Sequence, residues 1–146
     1  MSDKRMQPVA EGIEALVMWV RRQAPSSVST STVTTLDSLA TAGPLRVSEL
    51  AEREAISQPG MTTLVNRLER AGYAERVADP SDGRATLVRI TDGGRALLAE
   101  RRANRTAALL NEFDRLDDKD RAALIAALPA VEALITGKKP SNRKKK

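Results

Sequence analysis

The chain has 146 residues, 41% of them hydrophobic and only 2% aromatic, with a formal net charge of +5 and no cysteine or histidine. That length suits one domain with a moderate core, or a small domain with extra helices. The composition excludes thiol redox sensing, disulfides, zinc sites of the usual ligand types and His-based acid–base catalysis, and it leaves no aromatic platform for stacking single-stranded bases.

Met1 to Gln7 is polar and reads as loose. Pro8 opens a helix to about Gln23, with Val9, Ile13, Leu16, Val17 and Val20 on one stripe and Trp19 flanking it. The pattern reads as a core helix, with Trp19 at a subunit contact or the edge of a ligand cavity as the sharper alternative. Ala24-Pro25-Ser26-Ser27 interrupts the chain. The following Val28 to Ala40 stretch is rich in Ser and Thr, which favours strand or loop. Helical spacing of Val33, Leu36, Leu39 and Ala40, a capping Ser29 and the Gly43-Pro44 stop nevertheless predict a helix. Leu45-Arg46 reads as a short strand.

Two short helices follow. Val47 to Glu54 carries Val47, Leu50 and Ala51 on one face. The next has Ser57 as N-cap, Pro59 in the first turn and Gly72 as terminator, with Met61, Leu64, Val65 and Leu68 facing the core. Its other face carries Gln58, Thr62, Thr63, Asn66 and Arg67: short hydrogen-bonding groups and one cation. A merely solvated face would more cheaply carry Glu and Lys, whereas a helix entering a major groove needs groups that meet base edges and phosphates. Pro59 and Gly60 lie at the helix N-terminus, where backbone N–H groups favour phosphate. Tyr73 to Ala78 alternates as a strand, Asp79 to Ala85 is dense in turn residues, and Thr86 to Thr91 is a second strand. Helix–turn–helix plus hairpin is a winged helix-turn-helix. A long helix then runs from about Asp92 to Asp114, and a last one begins after the capping Asp117, carries Leu124, Ile125, Leu128, Val131, Leu134 and Ile135, and bends at Pro129. Residues 138–146 hold six cations and no acid, so the remaining chain carries 18 basic against 19 acidic side chains, and the basic balance belongs to the tail. That tail reads as disordered, adding affinity for phosphates without sequence preference.

Leu50-Ala51, Ser57-Gln58-Pro59, the run Leu64 to Tyr73, Asp79-Pro80-Ser81-Asp82-Gly83-Arg84 and Leu87 to Gly94 together resemble the MarR family of bacterial transcriptional regulators, over about a third of the chain. The resemblance implies a mainly α fold with a small β-hairpin wing, and a division into 1–28 and 93–137 for dimerisation, 29–92 for DNA binding and 138–146 as tail. It implies an obligate homodimer whose terminal helices interdigitate, placing two reading helices about one DNA turn apart on a palindrome. It also implies that Arg84 enters the minor groove with Asp82 steadying it, and that Gln58, Pro59, Gly60, Thr62, Thr63, Asn66 and Arg67 serve the major groove. A small-molecule cavity for an aromatic acid-like ligand is implied as well; here its lining is expected to be aliphatic, from the first helix, the Val33–Leu39 helix and the start of the long one.

The expected function is therefore that of a cytoplasmic, sequence-specific regulator of duplex DNA, a repressor in the first instance, with no cofactor, metal or membrane partner. The alternative is a winged-helix architectural or protein-interaction module whose basic tail supplies nonspecific affinity. An enzyme is remote: no paired carboxylates or phosphate-binding glycine loop stands in context, and Gly93-Gly94 reads as a helix start.

Overall fold

The computed structural model describes residues 4–23 and 28–137. The 24–27 break and the 138–146 tail read from the sequence lie outside the described residues. The chain divides into two compact units, Met1–Thr106 and Ala107–Lys146.

In the first unit a 3₁₀ turn at Lys4–Met6 leads into helix α1 (Gln7–Gln23), so regular structure begins within the stretch expected to be loose. α2 (Thr30–Ala42), α3 (Val47–Arg53) and α4 (Gln58–Arg70) precede an antiparallel hairpin, β1 (Ala74–Asp79) and β2 (Asp82–Ile90), and α5 begins at Asp92 and runs to Phe113. α2 is a helix despite its Ser/Thr content. Ser29 caps it by accepting from the Thr32 N–H, and Leu36 and Leu39 enter the core with Thr35. The core joins these to Leu45, Leu50, Ala51, Met61, Leu64, Val65, Leu68, Ala74, Val88 and Ile90. It is aliphatic, as the scarcity of aromatics requires.

Three further details depart from the sequence reading. Leu45 makes one isolated bridge to Val88, with N···O distances of 3.0 and 2.8 Å, instead of a strand. The hairpin strands reach further towards the tip than expected, leaving Pro80-Ser81 as the turn. The Asp79 carboxylate closes that turn, accepting from the Ser81 N–H at 2.9 Å and its hydroxyl at 2.7 Å. Finally, α1 buries no residue: Val9, Ile13, Leu16 and Val17 are each 40–49% exposed, so the stripe read as core is uncovered within this chain's first unit.

The start of α5 is held tightly against the α4–β1 turn. The Thr91 hydroxyl donates to the Gly72 carbonyl at 2.6 Å and accepts from the Gly94 N–H at 3.2 Å, while the Thr91 N–H reaches the Tyr73 carbonyl at 3.1 Å. A Cβ on Gly94 would overlap the Tyr73 carbonyl and lie 2.7 Å from Ile90 Cγ1. Close approach of two backbones, beyond simple helix initiation, accounts for glycine there.

In the second unit, α6 (Asp118–Thr136) is capped by Asp117, whose carboxylate accepts from the Asp120 N–H at 2.8 Å, and ends at Gly137 with φ 64°. The helix runs on through Pro129. Arg121 ties its first turns to the carbonyls of Phe113 and Asp114 at 3.1 and 2.8 Å. Leu124, Ile125, Leu128, Val131, Leu134 and Ile135 are all exposed.

Candidate nucleic-acid interface

α4 divides sharply into two faces. Met61, Leu64, Val65 and Leu68 are buried, while Gln58, Pro59, Thr62, Thr63 and Arg67 are exposed and Gly60 and Asn66 are half-buried. The polar rim is thus brought together on one surface. At its N-terminal end the Ser57 hydroxyl accepts from the Gly60 N–H at 3.3 Å. Pro59 has no N–H to give, so the first helical turn keeps the Gln58 N–H for an anion, fewer donors than the sequence suggests. A Cβ on Gly60 would stand 3.0 Å from Ser57 Oγ and 3.1 Å from Ile56 Cγ2, so local packing already favours glycine there.

The two threonines are not fully free hydrogen-bonding groups. Thr62 donates to the Gln58 carbonyl and Thr63 to the Pro59 carbonyl, each at 3.0 Å. With their protons engaged, they offer outward only oxygen lone pairs and methyl groups. Arg67 reaches the α2 cap, Nη2 to Ser29 Oγ at 3.4 Å. Asn66 Oδ1 accepts from Arg76 Nη2 at 3.0 Å.

At the hairpin tip the pairing skips from Ala78–Thr86 to Asp79–Asp82, leaving Gly83, Arg84 and Ala85 without partners on β1. Such a bulge turns a side chain away from the ladder, and Arg84 is exposed. Asp82 steadies Arg84 through its backbone: Oδ1 accepts from the Arg84 N–H at 3.2 Å, and among the described residues no ion pair to the Arg84 guanidinium forms.

Sequence reasoning missed what anchors this tip. Arg46, at the start of α3, donates through Nη2 to Asp79 Oδ2 at 2.8 Å and lies 3.8 Å from Asp82 Oδ2. The hydrogen bonds from Arg46 and Ser81 hold the Asp79 carboxyl down at about 2. The pair is 33 residues apart in sequence, and no local pattern announces it.

Between α2 and α5 lies an open cavity of about 400 Å³ lined by Val33, Asp37, Ser38, Glu54, Leu98 and the arginines 101, 102 and 105. Charged side chains stand in it beside the apolar Val33 and Leu98, and no α1 residue lines it. Arg101, Arg102 and Arg105 supply its cations, and Asp37 and Glu54 its carboxylates.

Helices α3 and α4 followed by a bulged antiparallel hairpin make a winged helix-turn-helix. A sequence model of the MarR family matches residues 26–85. An HTH-type transcriptional regulator of Mycobacterium bovis is 32% identical over 139 residues, covering 92% of this chain and 95% of the relative. The HTH-type transcriptional repressor MdtR of Bacillus subtilis is 28% identical, with 86% of each chain covered. A transcriptional regulator from Thermotoga maritima shares the fold, with a TM-score of 0.81 at 21% identity over 89% of this chain and 95% of that one. The chain belongs to the MarR family of transcriptional regulators, and it is a regulator, not an enzyme.

Proposed function

We propose that the protein is a homodimeric repressor that reads a palindromic duplex operator and releases it when a small organic acid binds. The observation that carries the reading is the exposed polar rim of α4 standing outside a fully apolar inner stripe, with Arg84 exposed at the neighbouring hairpin tip. Gln58, Thr62, Thr63, Asn66 and Arg67 serve the major groove, Pro59 and Gly60 let the helix end approach the backbone, and Arg84, on a loop steadied by Asp82, enters the adjacent minor groove.

Dimerisation is supported by the uncovered apolar stripes of α1 and α6, too extensive to leave in water. In this plan 1–28 and 93–137 build the subunit interface, and a two-fold pair sets two α4 helices about one DNA turn apart. A repressor role is supported by the name of the Bacillus subtilis relative. Ligand control rests on the α2–α5 cavity, whose arginines suit a carboxylate. Binding there shifts the equilibrium between DNA-competent and DNA-incompetent arrangements only by its differential affinity for the two. No helix among the described residues is long and apolar enough to cross a membrane, and a regulator of chromosomal DNA works in the cytoplasm.

Selection of bound duplexes from a random pool tests this. The wild type is expected to enrich an inverted repeat, and Arg84→Ala to weaken its binding about tenfold or more at unchanged helicity, with the loss concentrated at A·T-rich positions beside each half-site. Enrichment of no motif, or full affinity in Arg84→Ala, overturns the reading.

A further inference from the structure

Asn66 is the one amide of the α4 rim whose acceptor is already in use within the protein, and the cause lies on β1. Glu69, one turn further along α4, takes the Arg76 backbone N–H on Oε1 at 3.0 Å and the Arg76 guanidinium Nη1 on Oε2. Arg76 is thereby held at both its backbone and its head. Its second amino group, Nη2, donates to Asn66 Oδ1 at 3.0 Å. A guanidinium has donors and no acceptor, so the Asn66 amide must turn its oxygen inward towards Arg76. All three side chains are half-buried, which limits their freedom to rearrange.

We infer that Arg76 is a positioning residue that makes Asn66 a donor-only reader, selecting a base that presents acceptors, guanine above all, over adenine. This rests on the reading of α4 as the base-contacting helix. An unconstrained Asn forms a bidentate pair with adenine, donating to N7 and accepting from N6. That pair needs the amide oxygen at the base edge, and the bond from Arg76 turns it towards β1. The outward Nδ2 group can give both its protons, and the major-groove edge of guanine offers two acceptors, N7 and O6. Adenine offers one acceptor beside a donor that the amide nitrogen cannot satisfy.

The test measures binding of the full chain to the selected operator and to duplexes carrying every base at each half-site position. Asn66→Ala identifies the Asn66-dependent position by flattening its preference. The wild type should favour guanine over adenine there by about tenfold, the scale of a good bidentate contact. Arg76→Ala frees the amide oxygen and should move that one position towards adenine, with the other positions and the salt dependence of random-duplex binding unchanged. Should Arg76→Ala unfold, Glu69→Gln loosens Arg76 and should produce the same shift in smaller measure. An adenine preference in the wild type, or uniform weakening at all positions in the Arg76 and Glu69 variants, overturns the inference while leaving the operator reading standing. Failure of the wild type to discriminate any duplex removes the reading itself.

Discussion

Asp79 sits at the closed end of the hairpin with both carboxylate oxygens occupied, one by Arg46 and one by Ser81. Its folded-state value of about 2 lies below the ordinary 3.8, so the native form holds a proton less readily than the unfolded chain. The resulting stabilisation is complete above about pH 4 and is lost as pH falls through about 2. Urea midpoints measured from pH 5 to pH 2 should therefore fall further for the wild type than for Asp79→Asn; parallel curves would remove Asp79 from the account. Thr62 and Thr63 read from sequence as outward hydrogen-bonding groups, and their bonds one turn back along α4 went unread. Arg46–Asp79 and Asn66–Arg76 join different elements and become visible only once the hairpin has folded against α3 and α4.

At the scale of the element, α4 was legible because burial imposes a 3.6-residue period on Met61, Leu64, Val65 and Leu68. α2 was legible because its capping Ser29 and Gly43 outweigh weak Ser/Thr propensity. The hairpin was half legible. Its turn residues mark a loop, but nothing in Asp79 to Ala85 tells that the Asp79 side chain will shorten the turn and leave Arg84 in a bulge. A cavity involving α2 and α5 was expected, but its charged side chains were not, because helical periodicity marks Arg101, Arg102 and Arg105 as polar and says nothing of what they face. The junction of α5 with the α4–β1 turn offers a sharp test of packing. Gly94→Ala must push Cβ into the Tyr73 carbonyl, and the expected loss is at least about 1–3 kcal/mol in denaturant unfolding. Stability unchanged from the wild type would contradict the close approach.

For the whole molecule, the uncovered residues carry the argument. α1 reads as a core helix by pattern, but its stripe is not covered by the first unit. Periodicity reports that a face must be buried without saying by which chain, so the single sequence could not separate an internal core from a subunit interface. Ile125→Glu, on an exposed apolar position of α6, is expected to shift sedimentation from dimer to monomer and to weaken operator binding with it. A variant that stays dimeric and binds fully would take α6 out of the interface. Symmetric reading of duplex DNA by paired α4 rims and Arg84 tips is open to hydroxyl-radical footprinting on a selected operator. Two-fold symmetric protection is expected, with half-site centres about one helical turn apart and flanking minor-groove protections that disappear in Arg84→Ala. A single asymmetric footprint, or flanking protections unchanged by that substitution, would contradict it.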